Sequence, residues 1–203
     1  MKAIRIPAFL HDVFGERQTA GALAAVLLFG GAMTAASYGA YPGLVDGVAF
    51  WRGALALLLA FDIFAGCVAN FTASTSNFYA ERHTNRLVFI AVHIHLPLVA
   101  WLLNAGIGFA VGVWAYTIGG AFIVNGLIGR PSQRFVAGVL LSVGLGGMLL
   151  LPDVDPFLRT VGLFFMVKVM YAFAVDHYGR ASAERIKGDE RDVVSGGRAR
   201  REG

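Results

Sequence analysis

The sequence predicts an all-α, polytopic integral membrane protein: six transmembrane helices in one bundle, with the N-terminus and the C-terminus cytoplasmic. Three observations carry that expectation. The 203 residues are 57% hydrophobic and only 15% charged, with a mean hydropathy of +0.64, far from the balance of a water-soluble domain. The apolar residues fall into six runs, each close to the ~20 residues that cross a bilayer, separated by short polar breaks. Among the breaks only alternate ones carry lysine or arginine, the asymmetry that fixes orientation during insertion.

In chain order, residues 1–18 form an interfacial lead-in that carries Lys2, Arg5 and Arg17 but no small-x-small cleavage site. The first span covers 19–37 and ends at YGAYPGLVD, where Pro42 and Gly43 turn the chain and tyrosines mark an interface. The second, 48–70, starts with Trp51 and Arg52 at headgroup level and contains Asp62, Cys67 and Asn70. A polar connection, NFTASTSNFYAERHTNR, leads to the third span, 87–103, which holds His93, His95 and Pro97. The fourth covers 107–128, the fifth 135–151 and the sixth 157–175, so that residues 19–178 make one transmembrane domain. The tail, 179–203, is charged and ends in Gly/Arg repetition without an apolar face, the composition of a partly disordered cytoplasmic anchor.

Orientation follows from counting cations. With the N-terminus inside, the inner segments hold Lys2, Arg5, Arg17, Arg82, Arg86, Arg130, Arg134 and the seven basic residues from Arg180 onward. The outer loops hold none, because Arg52 and Arg159 lie just inside helix ends and can snorkel. The chain therefore reads as a multi-pass protein of the cell membrane. Its net charge of +4 and pI near 9.5 are topogenic. Nucleic acid is excluded as a partner, since no soluble basic surface bearing aromatics exists to receive it. A single cysteine, Cys67, excludes an intrachain disulfide.

The working residues are the polar ones placed where lipid is expected. At a rise of ~1.5 Å per residue, Asp62 stands about 12 Å above Asn70, and His93, His95 and Lys168 fall at a similar depth above Arg86 and Asp176. Ionisable groups at that depth cost ~2.5–3.5 kcal/mol on insertion scales, so they should face the bundle interior, pair, and mark function. Asp62 with Lys168 is the expected pair, and Asp62, His93 and Lys168 form the expected working site. His95, Asn70, Asn125, Tyr171, Asp176, Arg82 and Arg86 are the expected binding residues around it.

Several alternatives are weighed by geometry. On one continuous helix His93 and His95 point about 200° apart, so they cannot share a metal ion as an i, i+4 pair does, and no metal site is assigned. Pro97 removes the hydrogen bond to the His93 carbonyl and allows a kink there. Lys168, Tyr171 and Asp176 would form a polar stripe along the sixth span. Thr72, Ser74, Thr75, Ser76 and Asn77 could hold an anion together with Arg82 and Arg86, but ordinary turns and caps explain them better. No metalloprotease helix, nucleophile elbow, P-loop or dinucleotide fingerprint is present, so no cofactor is named.

Gly108 and Gly112 give the fourth span a small-xxx-small face, and Gly138, Gly144, Gly146 and Gly147 smooth the fifth. Such faces either pair two copies of the chain into a homo-oligomer or seat helices within one bundle. Three spans followed by three of opposite orientation also permit an inverted repeat. Phe89-x-x-Val92-His93-Ile94 loosely echoes Phe164-x-x-Val167-Lys168-Val169.

The functional expectation is a small transporter or channel-like protein with a polar cavity in its cytoplasmic half and an imidazole as proton carrier. The alternatives are an intramembrane enzyme acting on a lipid or isoprenoid, with His93 as base and Asp62 as its orienter, and a non-catalytic membrane scaffold. A cavity opening sideways favours the enzyme and an axial path favours transport.

Overall fold

The computed structural model describes residues 3–80, 82–179 and Ala183, so most of the expected tail lies outside the described residues. Six helical segments are long and apolar enough to cross a membrane: Ala20–Ala40, Phe50–Ala69, Thr84–Leu102, Ile107–Gly126, Gln133–Leu150 and Pro156–Phe173. A helix of that length and hydropathy stands at each of the six expected positions, with ends within a few residues of the expected ones.

Residues 3–19 are more ordered than a plain lead-in. Strand β1 (Ala3–Arg5) pairs antiparallel with β2 (Arg17–Thr19), closing a loop that holds the short helix α1 (His11–Phe14). Thr19 then caps helix α2 (Ala20–Ala40), its hydroxyl accepting from the Ala22 amide at 3.2 Å. Helix α3 (Phe50–Ala69) packs on α2, and Gly30 makes the close approach, since a Cβ there would meet Ala65 and Phe61.

The hydroxyl-rich connection is a helix of its own, α4 (Ala73–Ala80), and its hydroxyls dock the N-terminal segment. Thr75 Oγ1 donates to the Val13 carbonyl, Gln18 Nε2 to Thr72 Oγ1, and the Arg17 amide to Ser74 Oγ.

The third span is not one helix. Helix α5 (His83–Val92) stops, His93 takes φ −76°, ψ 71°, and α6 (His95–Leu102) begins two residues later. The cause is Pro97: without an amide hydrogen there, the His93 carbonyl has no i+4 donor, and the chain gives up helical geometry at that residue. Helices α7 (Ile107–Gly126) and α8 (Gln133–Leu150) follow unbroken.

The sixth span starts as α9 (Pro156–Met166), with Pro156 in the first turn and Asp155 capping the Leu158 amide at 2.9 Å. From Val167 to Phe173 it unwinds into a π-helix. Its seven residues make somewhat more than a single π turn, a feature that collects at functional sites.

The core lies between α3, α6 and α9, where Ile63, Phe64, Leu96, Val99, Leu158 and Phe165 are fully buried. The glycine faces divide: Gly144 meets Met166 and Tyr116 inside the bundle, whereas Gly108 and Gly112 have open space over them. The α7 face is outward and seats no helix of this bundle.

Candidate functional site

Three irregular or polar stretches converge midway along the bundle. Asp62 projects from α3, Lys168 from the π-helical turn, and His93 and His95 from the break between α5 and α6. Lys168 Nζ donates to Asp62 Oδ2 at 2.6 Å and to the Asp62 backbone carbonyl at 3.2 Å. This short, charge-assisted bond is the strong kind. Gly66 makes it possible: a Cβ at that position would strike the Lys168 side chain on its way to Asp62.

The same carboxylate oxygen lies 3.6 Å from His95 Nδ1, a buried atom with no hydrogen-bond partner. His93 sits edge-on to His95, ring centroids 5.0 Å apart. Its own Nδ1 donates to the Phe89 carbonyl at 2.5 Å. A carbonyl only accepts, so that ring nitrogen carries the hydrogen and Nε2 of the neutral ring is left as the acceptor.

Exposure separates the members. The Lys168 side chain is 3% exposed, but that of Asp62 is 39% and that of His95 28%. Asp62 shares its helical face with Leu58 and Leu55, four and seven residues earlier, both exposed. The cluster thus has a buried cationic back and a carboxylate front that opens sideways, at the seam of α3 and α6.

Two sequence expectations change here. His93 and His95 do not point in opposite directions, because the helix break lets both turn to the same cluster. His95, not His93, faces Asp62. The stripe of Lys168, Tyr171 and Asp176 is also lost: π geometry changes the angle per residue, so Lys168 reaches Asp62 while Tyr171 packs against Phe71 and His177.

Asn70, one of the expected binding residues, donates from Nδ2 to the Lys168 carbonyl at 3.2 Å. It holds the backbone of the unwound turn.

A second polar node lies toward the end of the bundle where Tyr178 meets Phe71. Arg86, expected to touch a headgroup or anion, is 2% exposed instead. Its Nε donates to Asn125 Oδ1 at 2.6 Å and its Nη2 to the Phe173 and Ala174 carbonyls at 2.9 Å each. Gln133 adds a bond from Nε2 to the Ala174 carbonyl at 3.2 Å and accepts from the Asp176 amide at 3.3 Å. These side chains satisfy the carbonyls that the end of the sixth helix leaves without donors.

Gln133 was missed in the sequence because it follows Pro131 and Ser132 in a stretch that reads as a polar loop. Only the tertiary packing places it beside the sixth span. Buried Asp176 sits at this node and its charge acts on Arg86. Arg82 is elsewhere: it pairs with Glu16 at 3.0 Å on the surface, tying α4's end to the N-terminal loop. His177 Nε2 donates to the Tyr171 carbonyl in the π turn at 3.1 Å. The carbonyl accepts, and burial lowers this imidazole's pKa below its ordinary value.

Toward the opposite end the cluster meets fully buried apolar side chains, among them Leu96, Val99, Val161 and Phe165. Beyond them lies a cavity of about 490 Å³ lined by Tyr41, Asp46, Asn104 and Asp155. An apolar layer therefore separates the cluster from that cavity. Among the described residues no three of His, Cys, Asp and Glu come together as a metal site.

Compared with family models, curated proteins and solved structures, the chain matches none.

Proposed function

We propose that this chain is a small transporter of the cell membrane, its termini cytoplasmic, with Asp62, His95, His93 and Lys168 as the translocation site and a proton as the coupling ion. One observation carries the reading. The third span, last of the first three, and the sixth, last of the second three, both abandon α geometry at the level of the cluster, at His93 and at Val167. Irregular backbone at membrane depth persists where it serves a site, and interrupted helices at matching positions of two halves are the mark of a transport site. His93 and Lys168, at these two departures, stand at matching places in the Phe-x-x-Val-His and Phe-x-x-Val-Lys echoes.

The carboxylate, the imidazole of His95 and the ammonium of Lys168 supply one exchangeable proton among three groups in contact. The apolar layer at Val99 and Phe165 is the gate that closes the cluster from the cavity beyond it.

Site-directed accessibility tests this without a known substrate. In a Cys67→Ser background, Val99→Cys is expected to react with a membrane-impermeant maleimide added outside, more at one pH than at another, and Asp62→Asn is expected to abolish the pH dependence. Complete protection of position 99 from the outside at acid and neutral pH would refute alternating access. The sideways opening of Asp62, 39% exposed, favours a second reading: an intramembrane enzyme with His95 as base and Asp62 as orienter. Turnover of a membrane lipid by the same protein, with position 99 always protected, would select it.

A further inference from the structure

We propose that the seam between α3 and α6 is a binding groove for a single-chain, uncharged amphiphile with a hydroxyl head, a long-chain alcohol, whose oxygen sits against the open side of Asp62. The inference names the substrate class of the site and rests on the proposed function only for what happens after capture.

The groove has a polar bottom and apolar walls. On α3, Asp62, Leu58, Leu55 and Trp51 follow one another at helical spacing on one exposed face. On α6, His95 leads through half-buried Leu98 to Trp101, which is 58% exposed. The far end is closed by Arg52, whose Nη2 donates to the Trp101 carbonyl at 2.5 Å and to Asn104 Oδ1 at 2.8 Å, bridging the two helices. From Asp62 to Trp51 the track is eleven residues, about 16 Å at 1.5 Å per residue. That is the length of one extended alkyl chain, and the α3 track is a single file of side chains.

The head group follows from charge. Asp62 and Lys168 already balance each other, and a bare carboxylate left open at this depth is expensive. Asp62 Oδ2 is taken by Lys168, while Oδ1 has no hydrogen-bond partner among the described residues. His95 Nδ1, buried and turned to Oδ2 at 3.6 Å, is closed to a ligand, so the open position is Oδ1 alone.

A hydroxyl can donate to Oδ1 and satisfy it without adding charge. A fatty carboxylate would bring a like charge against Asp62. An alkylammonium would compete with Lys168 for the carboxylate and strand an ammonium that is 3% exposed.

The test uses the full chain in lipid nanodiscs with diazirine derivatives of hexadecanol, hexadecanoic acid and hexadecylamine, and peptide mapping of the adducts. The alcohol is expected to label the α3 and α6 walls at least tenfold more than either charged analogue. Excess hexadecanol is expected to compete this labelling, whereas excess diacylglycerol is not. Asp62→Leu with Lys168→Met, an apolar pair that keeps the fold, is expected to abolish it.

Equal or greater labelling by the acid or amine overturns the proposal. So does labelling spread over all exposed helices, labelling unchanged in the double variant, or competition by diacylglycerol. Capture of the alcohol with position 99 closed to the outside would leave the substrate class standing and remove transport. The converse result would do the opposite.

Discussion

Neutralising Asp62 should destabilise the protein more than neutralising its partner, although both changes delete the same ion pair. In Asp62→Asn the Lys168 ammonium, 3% exposed, loses its counterion. Removing one partner of a buried pair costs ~3–5 kcal/mol. Lys168 Nζ keeps the Asp62-position backbone carbonyl, now at 3.2 Å, and gains a neutral amide oxygen, a bond about half as strong as the charged one. The expected loss is therefore about 2–3 kcal/mol.

In Lys168→Met the stranded group is a carboxylate 39% exposed with His95 at 3.6 Å. His95 can then take up a proton and replace the lost counterion, which holds the cost to about 1 kcal/mol. The double variant replaces the pair by groups of similar volume and should return to within about 1 kcal/mol of the parent, a coupling of about 2 kcal/mol or more.

Cys67, the single cysteine, is buried, so a thiol-reactive fluorogenic dye reports unfolding of purified protein directly. The Asp62→Asn midpoint should fall by about 4–12 °C, with Lys168→Met falling less. Equal losses in the two single variants, or additive loss in the double, would refute a buried cation held by a half-exposed anion.

Other expectations follow from particular contacts. Arg86→Met should cost about 3 kcal/mol and raise hydrogen exchange at 173–176, because it orphans the Phe173 carbonyl and Asn125 Oδ1 and leaves the Ala174 carbonyl to Gln133 alone. Arg82→Ala should change stability by less than about 1 kcal/mol, since its partner Glu16 is 56% exposed; the same dye assay ranks the two.

Gly66→Ala should displace Lys168 and reproduce part of the Asp62→Asn loss, whereas Gly112→Ala, with open space around it, should be neutral or gain up to about 1 kcal/mol from helix propensity. Gly112→Leu should leave the monomer folded and shift any homo-oligomer formed through the α7 face, read by size-exclusion with light scattering.

His177, its pKa lowered by burial first, is held neutral in the fold. Its contribution is complete above the ordinary imidazole value, about 6.5, and is lost as pH falls below it toward the lower folded value. Acidification should therefore raise exchange around 177–179, and His177→Phe should remove that pH dependence.

The legibility of the chain was uneven. Apolar run length is a one-dimensional property, and it located all six spans because a bilayer demands ~20 residues whatever they pack against. The depth argument was one-dimensional as well, and it brought Asp62, His93, His95 and Lys168 to one level. It failed on azimuth. An even 100° per residue was applied to the third and sixth spans, which are the two that depart from it.

Pro97 signalled the first departure. Nothing local in VKVMYAF signals the second, since that segment is as helix-compatible as its neighbours. Its π turn is fixed by Lys168 meeting Asp62 across α3 and by Asn70, Arg86 and Gln133 holding its carbonyls.

Sequence alone determined that the chain is apolar in six membrane-length stretches and which charges interrupt them, because hydrophobicity and rise per residue need no partner to act. Only the tertiary structure decided which way those charges face. It made Arg86 a buried brace in place of a headgroup contact, gave Asp62 to His95 in place of His93, and left one side of that carboxylate open. Direction around a helix depends on hydrogen bonds and contacts supplied by other helices, and those partners lie 33 to 106 residues away in the chain.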